Sequence, residues 1–166
     1  MKKWVRFCSM VLAVVFILSV SMIPASAAGI AYQNRFRAFR MVSIADSGFS
    51  TGYTKALQRF LQCFNAEYAV YLQNNGGIDG YFGPAVETLV KSYQPLKGLT
   101  ADGVVGPDTW AEIAEDLEVA SVNNAQTILS ENGSPVIRIL NNQDGTYSYL
   151  YYTWSGGSGA RFHTDS

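Results

Sequence analysis

Apolar residues recur in the middle of the chain at helical spacing. Tyr53, Ala56, Leu57, Phe60, Leu61 and Phe64 follow the i, i+3, i+4, i+7, i+8, i+11 series of one helix face. The same period returns in Val86, Leu89, Val90 and Tyr93, and again in Trp110, Ile113, Ala114 and Leu117. Gly76-Gly77 ends the reach of the first segment. The pattern therefore predicts three amphipathic helices in a bundle of about 65 residues, close to the lower size for a stable core. After Glu118 the period changes. Val136 to Leu140, a polar break at Asn141 to Gly145, and Tyr147 to Trp154 read as strand, turn, strand. Tyr147, Tyr149 and Tyr151 share one face of that hairpin, and Leu150, Tyr152 and Trp154 share the other. Gly156-Gly157-Ser158-Gly159 reads as a flexible end.

Two turns join the predicted helices, and they repeat. An offset of 23 residues superposes Asp79-Gly80-Tyr81-Phe82-Gly83-Pro84 on Asp102-Gly103-Val104-Val105-Gly106-Pro107. In each copy Asp can bond backbone a residue or two on, Gly supports positive φ, and Gly-Pro opens a helix with Pro at its first position. Asp79, Gly80, Gly83, Pro84, Asp102, Gly103, Gly106 and Pro107 are accordingly expected to be structural turn residues. A calcium loop built on either Asp-Gly pair lacks the ligands at its other positions, so no metal is expected.

The N-terminus reads as an export signal. Lys2, Lys3 and Arg6 precede the apolar run Met10 to Val20, and Pro24 and Ala25-Ser26-Ala27 follow it. Cleavage after Ala27 is expected. It would remove Cys8, leave Cys63 as the one cysteine, and change the net charge from -1 to -4. Such a chain has no bulk attraction for nucleic acid, and no membrane contact is expected after cleavage. Charged residues are 15% and hydrophobic ones 48% of the 166-residue chain, which argues against disorder. Residues 28–52, with Arg35, Arg37 and Arg40 interleaved with Phe36 and Phe39, read as an extended, solvated arm.

The stretch Tyr53 to Leu117 resembles the bacterial peptidoglycan-binding domain of the three-helix type. The resemblance is carried by Leu57-Gln58, Asp79-Gly80-Tyr81-Phe82-Gly83, Tyr93-Gln94, Gly98-Leu99 and the run from Asp102 to Trp110. Three departures stand out: Val86 where the family often has Thr, Pro95 after Gln94, and a longer connection from Cys63 to Gly77. The resemblance implies a mainly α fold, here a three-helix peptidoglycan-binding-like bundle over residues 53–118 with a C-terminal β-hairpin extension over 119–166. It implies peptidoglycan as partner, with a separate cell-wall enzyme or another wall protein as a further one. Tyr81, Tyr93, Gln94 and Trp110 are the candidate ligand-binding residues. The helical spacing of Tyr93 and Trp110 favours core positions, while Tyr93 and Gln94 also close a helix where a phenol and an amide could face a glycan or stem peptide.

Catalysis is not expected. A cysteine nucleophile at Cys63 would need a partner histidine, and the one histidine is His163, near the C-terminus. A zinc centre needs three protein ligands, which one His and one Cys do not supply. Glu112, Glu115, Asp116 and Glu118 remain as carboxylates for glycan cleavage, but they read as the solvated side of the third helix. No cofactor is expected. The expected protein is a secreted, non-catalytic cell-wall binder, with a small wall hydrolase, a hydrolase accessory subunit, or a protein-partner module as alternatives.

Overall fold

A computed structural model describes residues 32–153 and 157–165. The expected export signal, residues 1–27, lies outside the described residues.

After a helical turn at residues 32–36 and a 3-10 turn at Ile44–Asp46, α-helices follow in the order α1 (Gly52–Phe64), α2 (Ala66–Asn74), α3 (Pro84–Tyr93) and α4 (Pro107–Asp116). Thr51 caps α1, its hydroxyl accepting from the Thr54 N–H at 3.0 Å. The helix stops at Phe64 because Asn65 is extended (φ -151°, ψ 136°) and its side chain accepts from the Glu67 N–H, capping α2. The long connection noted in the sequence is therefore a helix of its own. Pro84 and Pro107 open α3 and α4 directly after Gly83 and Gly106. A 3-10 turn, Gln94–Lys97, continues α3 and ends at left-handed Gly98.

The repeated turns are also the same in their atoms. Gln58 Oε1 accepts from the Gly80 N–H at 2.8 Å, while its Nε2 donates to Asp79 Oδ1 and the Tyr81 carbonyl. Gln94 does the same at the second turn: Oε1 accepts from the Gly103 N–H at 3.0 Å, and Nε2 donates to Asp102 Oδ1 and the Val104 carbonyl. Each Asp also accepts from the N–H two residues on, Tyr81 or Val104. Gly80 and Gly103 have φ of +87° and +76°, a region costly for residues with a Cβ. A buried glutamine thus clamps each turn, Gln58 tying the first to α1 and Gln94 tying the second to the end of α3.

The C-terminal region corrects the expected fold class. It is not a hairpin on a mainly α protein but a five-stranded antiparallel meander, β1 (Glu118–Val122), β2 (Gln126–Glu131), β3 (Ser134–Asn141), β4 (Tyr147–Tyr152) and β5 (Ser158–Asp165), in that order across the sheet. The anticipated hairpin is its β3–β4 centre, with Ile137 opposite Tyr151 and Ile139 opposite Tyr149. Strand β5 starts within the glycine-rich stretch expected to be flexible, and it pairs Tyr149 with His163 and Leu150 with Arg161. Its own sequence offers little apolar alternation. Pairing with β4 supplies what its side chains do not.

Helices and sheet share one core. Helix α1 lies on the face carrying Leu129, Ile137, Ile139, Tyr149 and Tyr151, all buried together with Phe60, Leu61 and Trp110. Arg59, itself buried, donates from Nε to the Pro135 carbonyl at 2.9 Å, and Asn132 Nδ2 donates to the Cys63 carbonyl at 2.9 Å near the end of α1. Residues 32–42 join this core and do not stand off as a solvated arm. Residues 32–36 are helical, Phe36, Phe39 and Val42 are buried, and Phe39 meets Trp110 and Tyr149 edge-on. Burying such side chains is worth about 2 kcal/mol each; it outweighs the solvation suggested by the interleaved arginines, whose charges stay at the surface.

Candidate functional site

Three of the four candidate ligand-binding residues point inward. Tyr93 is fully buried in the core, and its hydroxyl donates to Asp116 Oδ2 at 2.8 Å; burial, with Asp116 next in effect, pushes its pKa up. Gln94 is 1% exposed and spends both ends of its amide on the second turn. Trp110 is fully buried, its Nε1–H donating to the Arg40 carbonyl at 3.1 Å. Tyr81 differs: it is 46% exposed beside the first turn.

An open cleft of about 600 Å³ lies against the loop that leads into the first turn. Helix α1 contributes Lys55, the end of α2 contributes Gln73, the following loop contributes Gly76, Gly77 and Ile78, and β4 contributes Tyr151. The loop is fixed at both ends. Gly77 donates its N–H to the Leu72 carbonyl at 2.8 Å, closing α2, and Gly76 and Gly77 take positive φ. On the other side Ser50 donates its hydroxyl to the Asp79 carbonyl at 2.8 Å. The stem of Lys55 runs across Gly80, where a Cβ would come within 2.8 Å of Lys55 Cε, and its Nζ lies 5.7 Å from the centre of the Tyr151 ring. One ammonium, one amide and loop backbone around an aromatic wall suit a polar ligand carrying amides, hydroxyls or a carboxylate.

Several of the groups considered for catalysis, Cys63, His163, Glu115 and Asp116, are set by the fold. Burial pushes the Cys63 thiol pKa up, which disfavours the nucleophilic thiolate. His163 Nδ1 is bonded to the Tyr53 hydroxyl at 2.8 Å. Asp116 accepts from Tyr93 and pairs with Lys97, and Glu115 accepts from Gln33 Nε2 at 2.8 Å. Asp79 and Asp102 have an Oδ1 committed to their own turns.

Comparison with known proteins locates the family within the chain. The model of the peptidoglycan binding domain family matches residues 51–113. That segment belongs to this family. The match covers α1 through most of α4 and both clamped turns, and leaves the sheet outside. N-acetylmuramoyl-L-alanine amidase CwlL of Bacillus licheniformis is 51% identical over 39 residues, 24% of this chain and 11% of the amidase. Zinc D-Ala-D-Ala carboxypeptidase of Streptomyces albus G is 50% identical over 36 residues, 22% of this chain and 14% of the carboxypeptidase. An uncharacterized protein in the bpoA1 3'region of Kitasatospora aureofaciens is 37% identical over 73 residues, 44% of this chain and 54% of that protein. The chain thus spans between 11% and 54% of the length of these curated relatives. No solved structure matches it.

The cleft draws on both parts. Lys55, Gln73 and the glycine loop lie within the peptidoglycan binding domain, whereas Tyr151 lies in the sheet. Sequence reading picked out the long connection that builds the loop and the tyrosine face that carries Tyr151, but not Lys55 or Gln73. No local pattern joins Lys55 to a tyrosine nearly a hundred residues away.

Proposed function

We propose that this chain is an exported, non-catalytic cell-wall protein whose peptidoglycan binding domain meets the wall through the Lys55–Tyr151 cleft. The observation that carries the reading is the family match over residues 51–113. The cleft beside the first clamped turn supplies a surface for it: a cation and an amide for the carboxylate and amides of a stem peptide, and Tyr151 for an apolar contact. Two of the relatives are named for an amidase and a carboxypeptidase, which fits a wall-enzyme setting and a separate enzyme as partner. Non-catalytic action is supported by the engagement of Cys63, His163, Glu115 and Asp116 in the fold. Export rests on the charged, apolar and small-residue order of residues 1–27.

Sedimentation of the purified protein with insoluble peptidoglycan tests the reading. The parent should co-sediment and release no soluble fragments. Lys55→Gln should weaken sedimentation roughly fivefold, the loss of about 1 kcal/mol from one charge-assisted bond, at an unchanged thermal midpoint. Release of muropeptides would refute the non-catalytic reading, and full binding by Lys55→Gln would remove the cleft from it.

A further inference from the structure

A second concavity lies at the far end of the sheet, outside the peptidoglycan binding domain. It has a volume of about 290 Å³ and is enclosed by the helical turn at residues 32–36 and by strands β2, β3 and β4 with the loop before β2. Its wall is mostly polar; among the described residues that line it Ile139 is the one aliphatic side chain and none is a carboxylate. Arg35 is the one cation among them. The guanidinium lies 3.9 Å from the centre of the Tyr147 ring. Among the described residues no carboxylate pairs with Arg35. A guanidinium has five N–H donors in a planar fork, so donors remain for a ligand while its face rests on the ring.

The neighbouring amides are biased the same way. Asn123 Oδ1 accepts from the Ala125 and Gln126 N–H groups, and Asn141 Oδ1 accepts from the Gln143 N–H, so both side chains have their acceptor in use and their NH₂ donors available. Asn124 and Gln126 add two further amides at the rim. Among the described residues the wall therefore offers donors in excess around a guanidinium that no carboxylate pairs. Such a site selects a ligand rich in acceptors and carrying one negative charge. Hydroxyls and an acetamido group spread around a carboxylate meet this description on the scale of one ring, and the volume is at the small end for ligand pockets.

We propose that this pocket is a binding site for a carboxylate-bearing saccharide, held by Arg35 at the carboxylate and by the amides of Asn123, Asn124, Gln126 and Asn141 at its oxygen atoms. The site does not depend on the Lys55 cleft and stands or falls apart from it. Titration of the isotope-labelled full chain with N-acetylmuramic acid, and in parallel with neutral N-acetylglucosamine, reads it by amide chemical shifts. Saturable shifts are expected around residues 123–127, 141 and 147 with the acidic sugar, with about tenfold weaker binding of the neutral one. Arg35→Gln should abolish that preference. Because Arg35 also contacts Tyr147, Asn124→Ala and Gln126→Ala provide variants at side chains away from the core; each should weaken the acidic sugar several-fold without moving the thermal midpoint. Shifts absent from this end of the sheet, equal affinity for the two sugars, or unaltered binding by both amide variants would overturn the proposal. Sedimentation with insoluble peptidoglycan and its dependence on Lys55 are read separately, so failure of this pocket leaves the cleft reading standing.

Discussion

Replacing Gln94 by Leu isolates the contribution of the buried amide. Leucine nearly matches glutamine in volume, so little cavity forms and the change is mainly in hydrogen bonding. The Gly103 N–H, 3.0 Å from Gln94 Oε1, is left buried without a partner, at about 1–3 kcal/mol. The bonds from Nε2 to Asp102 Oδ1 at 2.8 Å and to the Val104 carbonyl at 3.0 Å also vanish, although Asp102 is exposed and regains water. A total near 3 kcal/mol follows, or on the order of 10 °C in thermal midpoint for a domain of this size. Gln58→Leu should behave alike, because its bonds to Gly80, Asp79 and Tyr81 repeat those of Gln94. Urea unfolding of the parent and both variants measures the effect, with the denaturant slope showing whether two-state unfolding persists. Gln94→Glu is a useful control. It keeps the acceptor for Gly103 but sets a carboxylate against Asp102, so it should recover stability as pH falls towards 4. Losses below about 1 kcal/mol in both leucine variants would refute the clamp as a main support of the turns.

Two further predictions follow from charge and backbone. Glu131 is 8% exposed, and burial, followed by repulsion from Asp116 against the pull of Lys97, pushes its pKa up to about 7. A carboxyl with a raised folded pKa binds its proton more tightly in the folded state, so its charging costs stability as pH rises from about 4.5 to 7, up to about 3 kcal/mol; Glu131→Gln should therefore stabilise at pH 8 and be nearly neutral at pH 4, and a pH-independent difference in urea midpoints would refute this. Gly103→Val puts a β-branched side chain at φ +76°, where its Cβ would come within 2.9 Å of Glu87 Cγ and Lys91 Cε; a loss of about 2 kcal/mol is expected, mostly from the backbone because those side chains can move, and an unchanged midpoint would count against it.

What could be read from the sequence was what is local. Helix periodicity marked α1, α3 and α4, and the Asp-Gly and Gly-Pro pairs marked both turns, because each signal fits within a few residues. Strands β1, β2 and β5 escaped, since the apolar face of β2 rests mainly on Leu129 and β5 carries Gly159 and Arg161 where alternation would be sought. Their stability comes from ladder bonds to neighbours already in place. The inward placement of Gln94 was hidden for a related reason. An aromatic-glutamine pair at a helix end looks like a surface feature until the next nine residues turn back over it and bring Gly103 to the amide.

The sheet changes where this domain can present a ligand surface. Helix α1 is buried on successive sides: Gln58 turns into the first loop, while Arg59, about 100° further round the helix, reaches the Pro135 carbonyl of the sheet. Thr54, Gln58 and Arg59 are all buried polar residues, which is costly unless each is bonded, and each is. A helix enclosed in this way has no broad face left for a polymer. The concave surfaces described here lie instead where the enclosing elements end, one between the glycine loop and β4, the other between residues 32–36 and the end of the sheet. Both draw residues from β4, Tyr151 in the first and Tyr147 in the second, on the same face of one strand. Tyr149 between them is locked in the core, so the two surfaces are held at a fixed separation by a single rigid strand. Simultaneous binding of one chain of sugar and peptide at both would then gain affinity from the second contact without further ordering of the protein.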